Sequence, residues 1–187
     1  MRSQYIAMNQ VMPLQEDAWL LLRNVLIEHQ LPKGDLLLQP GQVCKHIFFL
    51  QTGLMRSFYL KDGEERNVAF TLENGFVTDL KSLRSAQPSE LSIQALEPST
   101  LFSMPKNDLL QLYEQSHQLE SFGRRLLETL LEEQEDYAAW FTLYSAKERY
   151  NQLLKKQPAL VQRVSLGHLA SFLGIRRETL SRIRKLK

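Results

Sequence analysis

Between Arg176 and Arg182 the chain runs Arg-Arg-Glu-Thr-Leu-Ser-Arg, a set of side chains able to read the edges of bases. Arginine makes bidentate bonds to guanine O6 and N7, glutamate accepts from a cytosine amino group, and serine or threonine bonds a phosphate or a base edge. For that chemistry the polar residues must share the outer face of one helix, and Ile175, Leu180 and Ile183 are spaced to hold its inner face. Just upstream, Ser165 is placed to cap a short helix whose Leu166, Leu169, Ala170 and Leu173 face inward. Ala170 is small enough for a second helix to cross closely, and Gly174 can take the positive φ of the turn. The spacing predicts a helix-turn-helix with a reading helix over 176–186. Its candidate DNA contacts are Ser165, Arg176, Arg177, Glu178, Thr179, Ser181 and Arg182. His168 reads as a surface or phosphate-side residue, because no other His or Cys stands at metal-ligand spacing.

Charge points the same way. The chain of 187 residues carries a formal net charge of +2, but residues 145–187 hold 11 basic and 2 acidic residues, a balance of +9 against −7 for the remainder. A basic tip on an acidic body suits a polyanion, since phosphate neutralisation and counterion release dominate nucleic-acid affinity. A merely solvated basic face accounts for the charge equally well.

The apolar content of 43% with 24% charged residues is ordinary for a folded soluble protein. The beginning lacks a signal-peptide run and no stretch is apolar enough to span a membrane, so a cytoplasmic location is expected. Cys44 is the only cysteine, which excludes an internal disulfide and any cluster needing several thiolates, and it reads as a small residue packed near a strand. No metal or other cofactor is expected.

These reading residues need a scaffold. The first 30 residues read as helical, with Trp19, Leu20, Leu22, Leu26 and Ile27 at helical spacing and Pro32 ending the run. From about Leu31 to Met104, short β-prone runs are punctuated by Lys33-Gly34-Asp35, Pro40-Gly41, Thr52-Gly53, Asp62-Gly63 and Asn74-Gly75. That pattern predicts a sandwich or barrel. Lys106-Asn107-Asp108 can cap a helix after Pro105, and a long helix is expected over 117–144. On it Leu127, Leu130, Gln134, Tyr137, Phe141 and Tyr144 follow at alternating steps of three and four, the spacing of a dimer seam, although such a stripe can also pack on its own barrel. A further helix over 146–156 ends at Gln157-Pro158. The division expected is 1–116, 117–144 and 145–187.

With Arg177-Glu178-Thr179 followed by Arg182, and with this order of elements, the whole chain resembles the CRP/FNR family of bacterial transcription regulators, the cyclic AMP receptor protein type. The resemblance implies an α+β fold with an N-terminal cyclic-nucleotide-binding-like β-roll of double-stranded jelly-roll type, a long dimerisation helix and a C-terminal helix-turn-helix. It implies a homodimer on a roughly palindromic operator of double-stranded DNA, RNA polymerase as a further partner, and no enzymatic activity. The winged hairpin that often follows the reading helix is expected to be absent.

The family's cyclic AMP site uses a glycine-glutamate pair and an arginine-serine pair. The resemblance puts Thr78-Asp79 and Ser89-Glu90 at those positions. No arginine is left to neutralise the phosphate, and the nearest cations are Lys81 and Arg84. Ordinary cyclic AMP recognition is therefore expected to be lost, with Thr78, Asp79, Lys81, Ser89, Glu90 and Gln134 as a degenerate effector pocket and the effector itself unspecified. A cupin-like metal enzyme fits poorly, since the four histidines at 29, 46, 117 and 168 form no two-His-plus-carboxylate group. A sensor subunit binding a protein through its last helix would present an apolar outer face there, and this one is arginine-rich.

Overall fold

The computed structural model describes Met8 and residues 13–185. Eight strands form two antiparallel four-stranded sheets that close into a β-roll. The strands are β1 (Ile27–Leu31), β2 (Leu36–Leu38), β3 (His46–Thr52), β4 (Met55–Lys61), β5 (Glu64–Thr71), β6 (Phe76–Val77), β7 (Leu91–Ala95) and β8 (Ser99–Pro105). One sheet is ordered β1-β8-β3-β6 and the other β2-β7-β4-β5. Among their residues Phe49, Leu50, Met55, Ile93 and Leu101 are fully buried.

The helices are α1 (Glu16–Val25), α2 (Leu80–Ser85), α3 (Lys106–Gln115), α4 (His117–Leu143), α5 (Ala146–Lys156), α6 (Pro158–Arg163), α7 (Leu166–Phe172) and α8 (Arg177–Lys185). Among them no helix is long and apolar enough to cross a membrane. The first half of α4 joins the β-roll core through Leu119, Phe122 and Leu126. Gly123 lets α3 pack closely on α4, since a Cβ there would collide with the Tyr113 hydroxyl.

Two local expectations are corrected. The helical reading of the first 30 residues applies to Glu16–Val25, while Ile27–Leu31 is a strand; residues 1–7 and 9–12 lie outside the described part. The strand forms because β8 offers a free edge, pairing Ile27 with Ser103 through to Leu31 with Ser99, and such pairing outweighs the weak preferences of a short segment. Lys106-Asn107-Asp108 does not cap α3: Pro105 is its N-cap, with no side-chain cap bond. Pro158 both ends α5 and opens α6 from its first turn, where a missing N–H costs nothing.

The stripe on α4 divides between several neighbours. Leu130 packs against the β-roll core. Tyr137 stacks on Phe172 of α7 with centroids 5.3 Å apart, and Phe141 lies against Gly174. Leu127, Gln134 and Tyr144 remain exposed, as does Leu131. Helical spacing alone could not assign these side chains to a partner, because α4 has neighbours on more than one side.

Candidate nucleic-acid interface

Helices α7 and α8 are joined by a tight left-handed turn. Ser165 caps α7 by accepting from the His168 N–H at 3.2 Å. At the other end the Ile175 N–H donates to Ala170 O at 3.0 Å and the Gly174 N–H to Ser171 O at 3.1 Å. This pair of bonds is a Schellman motif, and it needs the positive φ of 67° that Gly174 adopts. The chain then re-enters a helix at once, with Arg176 O accepting from the Leu180 N–H. Leu180 and Ala170 are buried, while Ile175 and Ile183 pack at the edge of the same core.

This inner face leaves Arg176, Arg177, Glu178 and Arg182 exposed, with Thr179 and Ser181 half-buried. Glu178 stands in the first turn and Arg182, Arg184 and Lys185 in the last, each suited to the adjacent end of the helix dipole. Ser165 is exposed too, but its hydroxyl is engaged in capping. A cleft of about 820 Å³ separates the start of α8 from the β4–β5 hairpin, lined by Glu64, Arg66, His168, Arg176, Arg177 and Glu178 among others.

His168 is not a free surface residue, contrary to its sequence reading. Its Nδ1 lies 3.0 Å from Nη1 of Arg56 in β4, and its carbonyl accepts from Asn67. Burial, together with the Arg56 cation, holds the imidazole below its usual pKa. Ser171 adds two more bonds to β5, accepting from the Asn67 N–H and donating to Glu65 O. Arg56 also bonds Glu65, which keeps that carboxyl below the usual range.

A second junction is built on Arg163 at the end of α6. It makes bidentate bonds to both Glu73 and Glu97 and donates to Gly53 O, and so reaches three turns of the β-roll. The bond to Arg163 holds Glu73 below the ordinary carboxylate range. Between these polar junctions, fully buried Leu54 of the β-roll joins Tyr150, Leu160 and Leu169 in one apolar core, and Phe172 meets Phe70 with centroids 5.1 Å apart. Arg56, Arg163, Ser171 and Phe172 carry no local signal of this role, since their partners are distant in sequence. Two of the cations counted at the basic tip are taken up by bonds within the protein, Arg149 to Leu173 O and Arg163 to Glu73 and Glu97.

At the positions that the resemblance assigned to cyclic-nucleotide binding, polar groups bond one another. Asp79 caps α2, its Oδ1 accepting from the Ser82 N–H at 3.1 Å, and its Oδ2 accepts from the Ser89 hydroxyl at 2.7 Å. Thr78 donates to His46 O. Lys81, Glu90 and Gln134 are exposed. A carboxylate therefore stands at the positive end of α2, where a phosphate would otherwise be attracted. Cys44 is buried, its N–H donating to the Ser82 hydroxyl.

Residues 28–116 match the cyclic nucleotide-binding domain family. Among solved structures, FixK2 from Bradyrhizobium japonicum superposes with a TM-score of 0.74 at 20% identity, covering 87% of this chain and 84% of its own. The fold is that of the CRP/FNR regulators. A transcriptional regulator assigned to the CRP/FNR family from Eubacterium rectale gives a TM-score of 0.70 at 19% identity over 92% of this chain and 83% of its own. The c-di-GMP responsive global regulator CLP of Xanthomonas campestris gives 0.68 at 19% identity over 92% and 91%. No curated protein sequence gives a significant match. The two-sheet β-roll, the long α4 and the helical C-terminal part are thus those of the CRP/FNR fold.

Proposed function

We propose that the chain is a sequence-specific DNA-binding transcription regulator that acts as a homodimer and reads the major groove with α8. The observation that carries this reading is the outer face of α8, where Arg176, Arg177, Glu178 and Arg182 stand exposed on a helix held from beneath by Leu180. Arginine, glutamate and threonine are the residue types that bond base edges and phosphates, and here they stand together on the outward side of one short helix. Double-stranded DNA with a roughly palindromic operator and RNA polymerase are its proposed partners, and the cytoplasm its proposed location.

A gel-shift series across salt concentrations tests the DNA reading: log K should fall steeply and linearly with log salt, with discrimination among duplexes. Arg182→Ala should cost about 1–3 kcal/mol and relax specificity at one operator position. Equal weakening on every duplex would leave Arg182 with phosphate contacts only.

Dimerisation is assigned to the face of α4 that the chain itself leaves open. Leu127 is 50% and Leu131 55% exposed, with Gln134 and Ala138 exposed further along the same face. An apolar stripe of this kind on a long helix is suited to a two-stranded seam. Leu127→Glu combined with Leu131→Glu should convert dimers to monomers in sedimentation velocity at micromolar protein. An unchanged sedimentation coefficient would remove this face from the interface.

The β-roll is proposed to sense an effector other than cyclic AMP, or none. Asp79 already supplies an anion to α2 and engages Ser89, so a cyclic phosphate would meet a carboxylate with no arginine to offset the repulsion.

A further inference from the structure

We infer that Arg149 is the positioning residue that fixes the angle between the long helix and the reading helix, and through it the half-site spacing that the dimer accepts. The inference rests on the DNA-binding, dimeric reading above. Arg149 lies on α5 and is only 7% exposed. Its Nη1 donates to Phe141 O at 2.9 Å and Tyr144 O at 2.8 Å, both at the end of α4, and its Nη2 donates to Leu173 O at 2.9 Å. The guanidinium carbon lies 4.1 Å over the Phe141 ring.

The charge is met by backbone rather than by a carboxylate. The C-terminal ends of α4 and α7 converge on one cation, and the negative ends of two helix dipoles take the place of a counter-ion. Its Nε is buried without a hydrogen-bond partner, so the site is not an optimised way of filling space with a charge. What the planar fork does, and an apolar side chain or a single ammonium cannot, is bond both helix ends at once in fixed directions.

Phe141 completes the clamp. A Cβ on Gly174 would lie 2.5 Å from its Cζ, so the ring presses on the residue that turns the chain into α8. Leu173, whose carbonyl Arg149 holds, is the C-cap of α7 and immediately precedes that residue. The direction of α8 is therefore set one residue away from the arginine bond.

Small rotations here matter for two joined heads. Half-sites lie about 34 Å apart, so each head sits roughly 17 Å from the two-fold axis. A tilt of ~10° over that arm displaces a head by ~3 Å, about the 3.4 Å step between base pairs.

The test uses full-length protein and duplexes selected by wild type from a random pool, then rebuilt with the spacer lengthened or shortened by a base pair, and as single half-sites. Arg149→Lys and Arg149→Met should bind a single half-site within about twofold of wild type while affinity for the complete operator falls about tenfold or more, because linked heads lose avidity when their geometry is wrong. The variants should also lose wild type's preference for one spacing, and should sediment as wild type does. Unchanged spacing preference in both variants overturns the proposal, and so does an equal loss on half-site and complete operator, which would mean that Arg149 only supports the fold. Should Arg149→Met prove unfolded by circular dichroism, Arg149→Lys decides alone. Wild type that selects no duplex defeats the DNA-binding reading itself, and the role of Arg149 with it.

Discussion

Replacing Phe172 with alanine is expected to destabilise the protein by about 3–5 kcal/mol, the range for removing a large aromatic side chain from a packed core. Phe172 is 8% exposed and its ring centroid lies 5.1 Å from Phe70, 5.3 Å from Tyr137 and 5.5 Å from Trp140. Those three neighbours come from β5 and α4, so one side chain ties the C-terminal helices to both the β-roll and the long helix. Its loss should lower the urea midpoint and also separate the transitions seen by near-ultraviolet signals from Trp140 and by far-ultraviolet circular dichroism, since the junction weakens more than either part. Phe172→Leu keeps most of the apolar bulk but not the ring contacts, and should cost less than the alanine variant. A loss below about 1 kcal/mol for the alanine variant would show that the junction is held by its polar contacts, at Arg163 and around Arg56, rather than by this cluster.

The second large effect is expected at Gly174. Alanine there carries two separable costs. A left-handed φ of 67° penalises a residue with a Cβ by about 1–2 kcal/mol. The same Cβ would lie 2.5 Å from Phe141 Cζ, and overpacking of that kind costs about 1–3 kcal/mol. Adding Phe141→Ala makes room and should remove the second cost but not the first. The two substitutions should therefore be non-additive, with Gly174→Ala markedly milder in the Phe141→Ala background, as read by a double-mutant cycle of urea unfolding. Strict additivity would mean that the ring does not bear on the turn.

How far the sequence goes depends on how far apart the interacting residues lie. The helix-turn-helix was legible because its rules are local: Ser165 caps three residues ahead, and Gly174 closes a motif whose bonds reach back only to Ala170 and Ser171. The residue types at Thr78-Asp79 and Ser89-Glu90, with no arginine among them, can likewise be read directly. That Asp79 would turn to cap α2 and bond Ser89 was not legible, because it depends on the loop that folds the two together. Strand β1 was hidden within an apparent helix, since its identity comes from pairing with β8, 68 to 76 residues away.

The α4 stripe shows the boundary most plainly. Spacing of three and four establishes that Leu127, Leu130, Tyr137 and Phe141 can share a helix surface, but not which partner covers each. Folding assigns Leu130 to the β-roll core and sets Tyr137 and Phe141 against Phe172 and Gly174, leaving Leu127 and Leu131 open.

The composition of the exposed α8 face, the turn beneath it and the order of elements around it were thus written in residue types at short spacing, where backbone geometry links neighbours directly. The pose of that face was decided only by tertiary structure. Arg149 bonds carbonyls, which carry no residue identity, and Arg163 and His168 find partners 66 to 112 residues away, so nothing in the local sequence could have announced them.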